Sequence, residues 1–172
     1  NNVGGGGGIK AESQIEKRPL EAWEALQRAN VTAPFLVCKH AIPHLMAQRS
    51  GSIINIASIA GLVGRDRRVY PPDMPPQSID YAAAKGAIIA MTRDLAAYLG
   101  PHGVRVNAIS PGGFERGQPA AFIAAYSEKT PLRRMGRDGI DLNGAAVFLA
   151  SDAAAYVTGH NLVVDGGFSI WQ

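Results

Sequence analysis

Ser52-Ile-Ile-Asn-Ile-Ala-Ser58 is the stretch on which the fold turns. It follows Gly51, is rich in Ile and lacks the polar/apolar alternation of a half-exposed strand, so it reads as a strand buried on both faces of a parallel sheet. A parallel sheet needs helical crossovers, and both flanks supply them. Upstream, Phe35, Cys38, Ile42, Leu45 and Met46 recur at helical spacing and describe one buried stripe, with Gly51 as its stop and Pro34 and Pro43 as points where it can bend. Before that, PLEAWEALQRAN at 19–30 predicts a helix with Pro in its first turn, Glu21 and Glu24 near the positive end of its dipole, and Asn30 at a helix-to-helix junction. Downstream comes a long loop carrying Pro71, Pro72, Pro75 and Pro76. Residues 80–99 then read as an alanine-rich helix with Ile88, Met91, Leu95 and Leu99 close to one stripe. A second strand is expected over 105–110, ending in Pro111-Gly112-Gly113, then helices over about 119–129 and 138–150, and a third strand over 161–165 closed by Gly166-Gly167. Strands alternating with helices, without a hairpin signal, predict an α/β parallel sheet with flanking helices.

Composition narrows the function classes. Of 172 residues, 47% are hydrophobic and 18% charged, which fits a globular chain, and no apolar run approaches the ~20 residues of a membrane span. The 17 basic and 14 acidic residues leave a charge of +3, with only Arg65, Arg67 and Arg68 clustered, too little for a nucleic-acid footprint. Cys38 stands alone, which excludes an intramolecular disulfide; with no signal peptide in view, a cytoplasmic location is expected. His40 and His44 share a helical face but lack a third ligand, so no metal site is expected. Residues 1–8 end in a run of five glycines and read as a flexible loop.

The chemistry-bearing residues converge on one edge of this sheet. Tyr81 and Lys85 are spaced i, i+4 on the long helix, which places phenol and ammonium on one face. An ammonium ~4 Å away at an effective dielectric near 20 favours a phenolate by about 4 kcal/mol, enough to bring a Tyr pKa of ~10 to near 7 and make a neutral-pH acid/base. Ser58 ends the first strand, and ligands of open parallel sheets sit beyond the strands' carboxyl ends. Pro111-Gly112-Gly113 ends the next strand on that edge, where a backbone without bulky side chains admits a flat ligand. Asn30 and the Asn1-Asn2 pair add amides able to fix loops or relay a proton.

In this order the residues resemble the short-chain dehydrogenase/reductase family. The resemblance runs from Asn1 to Gln172 and rests on Asn1-Asn2-Val3-Gly4, Trp23 with Asn30 seven residues on, the strand running to Ser58, Tyr81 with Lys85, Arg105-Val106-Asn107 leading into Pro111-Gly112, and Val164-Asp165-Gly166-Gly167. It implies a Rossmann-type domain, of which this chain is the C-terminal part lacking the first strands, and an NAD- or NADP-dependent enzyme interconverting a small-molecule alcohol and a carbonyl. It implies catalytic roles for Asn30, Ser58, Tyr81 and Lys85, and cofactor contacts at Asn2, Tyr81, Lys85 and the backbone near Phe114. A homodimer or homotetramer joined through the helices over 31–46 and 80–99 is also implied.

Three departures qualify the transfer. The family's glycine-rich dinucleotide turn does not appear; Gly6-x-Gly8-x-x-Ala11 fits a degenerate fingerprint but has no strand before it. The chain opens at Asn1 with its first Met at Met46, so a longer parent is expected and this chain by itself should bind dinucleotides weakly. Ser58 and Tyr81 stand 23 residues apart, about twice the family's usual gap, and Arg116 occupies the place of a common Thr. The enlarged loop with Arg65, Arg67 and Arg68 raises an acidic substrate as one reading and a solvated basic loop as the other. Two alternatives to an enzyme stay open: a catalytically incomplete fragment or interaction module, and half of a split enzyme.

Overall fold

The computed structural model describes residues 1–2 and 12–171. The glycine run and the degenerate fingerprint therefore lie outside the described residues. In chain order the elements are α1 Leu20–Gln27, a π-helical stretch Arg28–Thr32, α2 Ala33–Gln48, β1 Gly51–Ile56, α3 Ile79–Leu99, β2 Val104–Pro111, β3 Phe114–Glu115, α4 Ala120–Lys129, β4 Gly136–Arg137, α5 Asn143–Ala150 and β5 Asn161–Val164. Strands β1, β2 and β5 form a parallel sheet in the order β1-β2-β5, with Gly51 opposite Val104 and Ala108 opposite Asn161. Asn1 lies along the free side of β1: its main-chain nitrogen donates to the Ile54 carbonyl at 2.7 Å, and the Ile56 amide donates to the Asn1 carbonyl at 3.2 Å.

Strand periodicity of two sorts the core into layers. Ile53, Val104 and Val106 pack with Cys38 of α2 and Ala96 and Leu99 of α3, while Ile54, Ile56, Ile109 and Leu162 pack with Leu149 of α5. Both faces of the sheet are thus covered, which is why β1 carries Ile at successive positions. Cys38 is a buried core residue whose thiol pKa is raised by that burial.

Several boundaries differ from the sequence expectation for local physical reasons. Phe35 sits on the outer side of α2, 50% exposed, while Cys38 is buried and Ile42, Leu45 and Met46 pack against its cluster. Helix α2 stops at Arg49, in the left-handed conformation with φ 55°; Gly51 instead opens β1, where an added Cβ would lie 2.8 Å from the Leu45 side chain. Helix α5 begins at Asn143, five residues later than expected, because Asp141 accepts from the Arg137 amide and from the Arg134 and Arg137 guanidiniums and holds 138–142 in a turn. Those two arginines depress the Asp141 carboxyl well below the usual carboxylate range. The short pair β3–β4 has no sequence signal, since two residues show no periodicity.

Two motifs behind the resemblance are structural. Arg105 donates to the carbonyls of Leu149 and Ser151 at 2.9 and 3.2 Å, tying down the end of α5. Fully buried Asn107 donates to the Val157 carbonyl at 2.8 Å and accepts from the His160 amide at 3.0 Å, fixing the approach to β5.

Candidate active site

Ser58 leaves β1 in extended conformation and caps a single 3-10 turn, Ile59–Gly61, its hydroxyl accepting from the Ala60 amide at 3.1 Å. The turn crosses α3 so closely that a Cβ on Gly61 would lie 2.6 Å from the backbone of Lys85 and Gly86. Glycine at 61 therefore sets the spacing between Ser58 and the helix that carries Tyr81 and Lys85. The Ser58 hydroxyl lies near enough to the Tyr81 phenol to lower its pKa, and Lys85 lies one turn on with its Nζ 5.6 Å from the Tyr81 ring centroid. All three line one cavity of about 540 Å³ beyond the carboxyl ends of β1 and β2, together with Asn2 and Phe114.

The electrostatics differ from the simple ammonium–phenol pair. Lys85 Nζ donates to the Ile56 carbonyl at 2.9 Å, and burial lowers its pKa. Tyr81 is raised above the ordinary tyrosine value, first by burial; the Ser58 hydroxyl and the nearby Arg65 and Arg116 guanidiniums pull it back down. The expected strong depression by Lys85 is absent, because the ammonium is aimed at the strand carbonyl and the phenol is desolvated.

Asn30 does not line the cavity. It is fully buried in the π stretch, donates from Nδ2 to the Leu26 carbonyl at 3.1 Å, and belongs to a segment packed against α3. Pro34 follows four residues later and has no amide hydrogen to offer the Asn30 carbonyl, which is the covalent reason for an irregular turn here. Asn2 is exposed at the cavity rim. Phe114 lines the cavity, but its carbonyl already accepts from Gln118 Nε2 at 2.8 Å. The glycines of Pro111-Gly112-Gly113 also have a different cause from the one expected. A Cβ at Gly112 would meet Asp165 at 2.7 Å and one at Gly113 would meet the Tyr126 ring at 2.7 Å, so the protein's own side chains occupy that space.

Other contributors were not legible in the sequence. Asn1 Nδ2 donates to Asn55 Oδ1 at 3.1 Å and to the Pro34 carbonyl at 3.2 Å, and Asn55 Nδ2 donates to Thr92 Oγ1 at 2.9 Å, a buried amide chain joining β1, α2 and α3. The sequence marks Asn1 as an amide able to fix loops; of its partners, Asn55, an amide inside an Ile-rich strand, is the one with a sequence signal. Next to Tyr81, Asp80 is fully buried and receives Arg18 Nε and Nη2 at 3.0 and 2.6 Å; its first-turn position hides this role behind the ordinary dipole preference. Four aromatic rings pack in series along the cavity: Tyr70 tilted on Phe122 at 5.0 Å, Phe122 tilted on Tyr126 at 5.9 Å and Tyr126 stacked on Phe168 at 4.2 Å.

Among the described residues no helix is long and apolar enough to cross a membrane, and no three His, Cys, Asp or Glu side chains gather into a metal site. A family model described as enoyl-(acyl carrier protein) reductase matches residues 1–169. The 5-keto-D-gluconate 5-reductase of Escherichia coli K12 is 36% identical over 169 residues, 95% of this chain and 62% of that protein. Among solved structures, a short-chain dehydrogenase from Leptospira borgpetersenii with bound NAD+ is 39% identical at a TM-score of 0.86, covering 94% of this chain and 62% of that one. A gluconate 5-dehydrogenase from Burkholderia cenocepacia, in complex with NADP and tartrate, is 32% identical at a TM-score of 0.85, covering 98% and 63%. The chain thus spans about 62% of the length of the curated relatives it matches. With the Rossmann-type parallel sheet, the cavity at its carboxyl edge and a family model matching nearly end to end, this chain belongs to the short-chain dehydrogenase/reductase family.

Proposed function

We propose that this chain carries the proton-transfer site of an NAD- or NADP-dependent oxidoreductase that interconverts a small-molecule alcohol and a carbonyl. The carrying observation is that Ser58, Tyr81 and Lys85 line one cavity beyond the carboxyl ends of β1 and β2. The overall reaction balances as a secondary alcohol plus NAD(P)+ giving a ketone, NAD(P)H and a proton. Tyr81 gives its phenolic proton to the carbonyl oxygen in reduction and takes it from the hydroxyl in oxidation. Ser58 holds the substrate oxygen beside that phenol. Asn30 acts from behind α3 by supporting a water relay.

The residues present fit the nicotinamide end of a dinucleotide. Lys85 spends one of its three ammonium hydrogens on the Ile56 carbonyl, which leaves donors for ribose hydroxyls, and Asn2 and the backbone at Phe114 flank the same cavity. When bound, the cofactor supplies the hydride acceptor or donor. The reported relatives include a bound NAD+ and a bound NADP, which supports either. Arginines 65 and 116 in the cavity favour a substrate with an acid group. The apolar side chains Phe35, Leu36 and Val37, exposed on α2, favour a homodimer or homotetramer, which sedimentation at micromolar concentration tests. A cytoplasmic location completes the reading.

The experiment is a screen of alcohols and carbonyl compounds, read by reduced-nicotinamide absorbance with NAD and NADP in turn. Turnover of at least one pair is expected. No turnover of any pair by folded protein identifies instead a catalytically incomplete member of the family, or half of a split enzyme.

A further inference from the structure

The cavity lining is of two kinds. Val69, Tyr70, Met74 and Phe122 belong to one hydrophobic cluster with Tyr126 and Phe168. The rest includes the titratable groups, and their partners can be counted. Asp66 is ion-paired to Lys129 of α4 and to Arg68. Arg116 is ion-paired to Asp138 at 2.6 Å. Lys85 donates to the Ile56 carbonyl. Arg65 is different: its terminal nitrogens donate to the main-chain oxygen and, at 3.3 Å, to the side-chain Oε1 of Gln77, both neutral acceptors, and among the described residues it meets no carboxylate.

Arg65 is also held in place. The adjacent Asp66 caps the turn Arg67–Val69 through the Arg68 amide at 2.9 Å and ties the loop to α4 through Lys129, while the Tyr70 ring packs tilted against Phe122. The three arginines of the enlarged loop therefore divide. Arg68 serves Asp66, Arg67 is exposed and outside the cavity wall, and Arg65 alone faces the cavity. From there its charge acts on both Tyr81 and Tyr70. A guanidinium held by neutral acceptors, lining one cavity with the Tyr81 phenol and with Val69, Tyr70, Met74 and Phe122, is complementary to an anion joined to an apolar body.

We propose that Arg65 is the specificity-determining residue of this cavity, and that it selects a hydroxy or oxo carboxylate whose apolar body lies against Val69, Tyr70, Met74 and Phe122. The planar guanidinium takes the carboxylate while the carbon to be oxidised or reduced lies beside Tyr81. The proposal rests on the oxidoreductase reading above and adds to it the substrate's chemical class.

The test uses the active protein with oxo carboxylates having one to four carbons between carbonyl and carboxylate, each paired with its primary amide. Wild type, Arg65→Ala, Arg65→Gln and the loop control Arg67→Ala are compared, and benzoate binding is measured in parallel by calorimetry. The expected result is a wild-type preference for one acid over its amide, and a loss of about 10- to 100-fold in kcat/KM for that acid, through KM, in both Arg65 variants. Amide turnover and Arg67→Ala stay within about twofold of wild type. Equal losses for acid and amide, or wild-type preference for the amides, would overturn the proposal. So would a changed NADH or NADPH affinity in Arg65→Ala with acid KM intact, which would make Arg65 a cofactor contact. If nothing turns over, the oxidoreductase reading fails separately, and benzoate binding lost in Arg65→Ala upholds the carboxylate subsite while unchanged binding removes it.

Discussion

Arg18→Met is expected to cost about 3–5 kcal/mol of folding stability, far more than a surface arginine is worth. Arg18 and Asp80 have side chains only 5% and 0% exposed, and both guanidinium bonds, at 2.6 and 3.0 Å, enter the same oxygen, Asp80 Oδ2. The other oxygen, Oδ1, is buried with no partner among the described residues. Methionine keeps the stem packing and removes the charge, so the variant leaves a fully buried carboxylate with no counterion. At about 2–4 °C per kcal/mol for a domain of this size, the melting midpoint should fall by about 6–20 °C. Replacing both residues, Arg18→Met with Asp80→Leu, removes the stranded charge and should cost much less than Arg18→Met alone. Urea denaturation of the wild type, both single variants and the double variant measures the set. A loss under about 1 kcal/mol in Arg18→Met, or a double variant worse than either single, would refute the idea of a buried, mutually dependent pair. The pair joins the segment before α1 to the first turn of α3, where Gln27 Nε2 also donates to the Asp80 carbonyl at 3.0 Å, so the same variants should lower kcat by misplacing the neighbouring Tyr81.

Gly113→Ala should destabilise by about 1–3 kcal/mol, since its Cβ would sit 2.7 Å from the Tyr126 ring and 2.9 Å from Met135; truncating Tyr126 to Leu in the same chain should recover part of the loss on thermal unfolding. Burial raises Tyr81, so its phenol stays protonated through neutral pH: carbonyl reduction should be flat there while alcohol oxidation climbs as pH rises. The tyrosinate absorbance difference between wild type and Tyr81→Phe should accordingly appear only above the free-tyrosine value of ~10, and its appearance near pH 7 would contradict this. Lys85→Ala should weaken NADH affinity by about tenfold or more and lower turnover with it, measured by steady-state rate and fluorescence titration, because the ammonium that donates to the Ile56 carbonyl also keeps donors for the ribose hydroxyls.

Much of this was legible because buried strands and alanine-rich helices leave long-range patterns. Ile53 and Ile54 point to opposite, equally apolar layers, and that is what an Ile-rich run without alternation encodes. The family order of Ser58, Tyr81 and Lys85 brought three cavity residues together on the page. What stayed hidden depends on direction rather than position. Spacing puts Lys85 on the Tyr81 face but cannot say that its amine reaches back to Ile56, nor that burial outweighs it at the phenol. Three arginines in one loop look equivalent until Asp66 claims one and the cavity another. The glycines after Pro111 look like room for a ligand, yet Tyr126 and Asp165, distant in sequence, already fill it.

The central claim is that the Tyr81 phenol is the proton donor and acceptor, and replacing it by Phe in the active protein tests this most directly. The ring, the helix and the Lys85 contact to Ile56 are retained, and only the phenolic hydroxyl is lost. Steady-state turnover should fall by about 10²–10⁴-fold while NADH or NADPH affinity stays within a few fold. Near-normal turnover in Tyr81→Phe would contradict the account and remove Tyr81 from the chemistry.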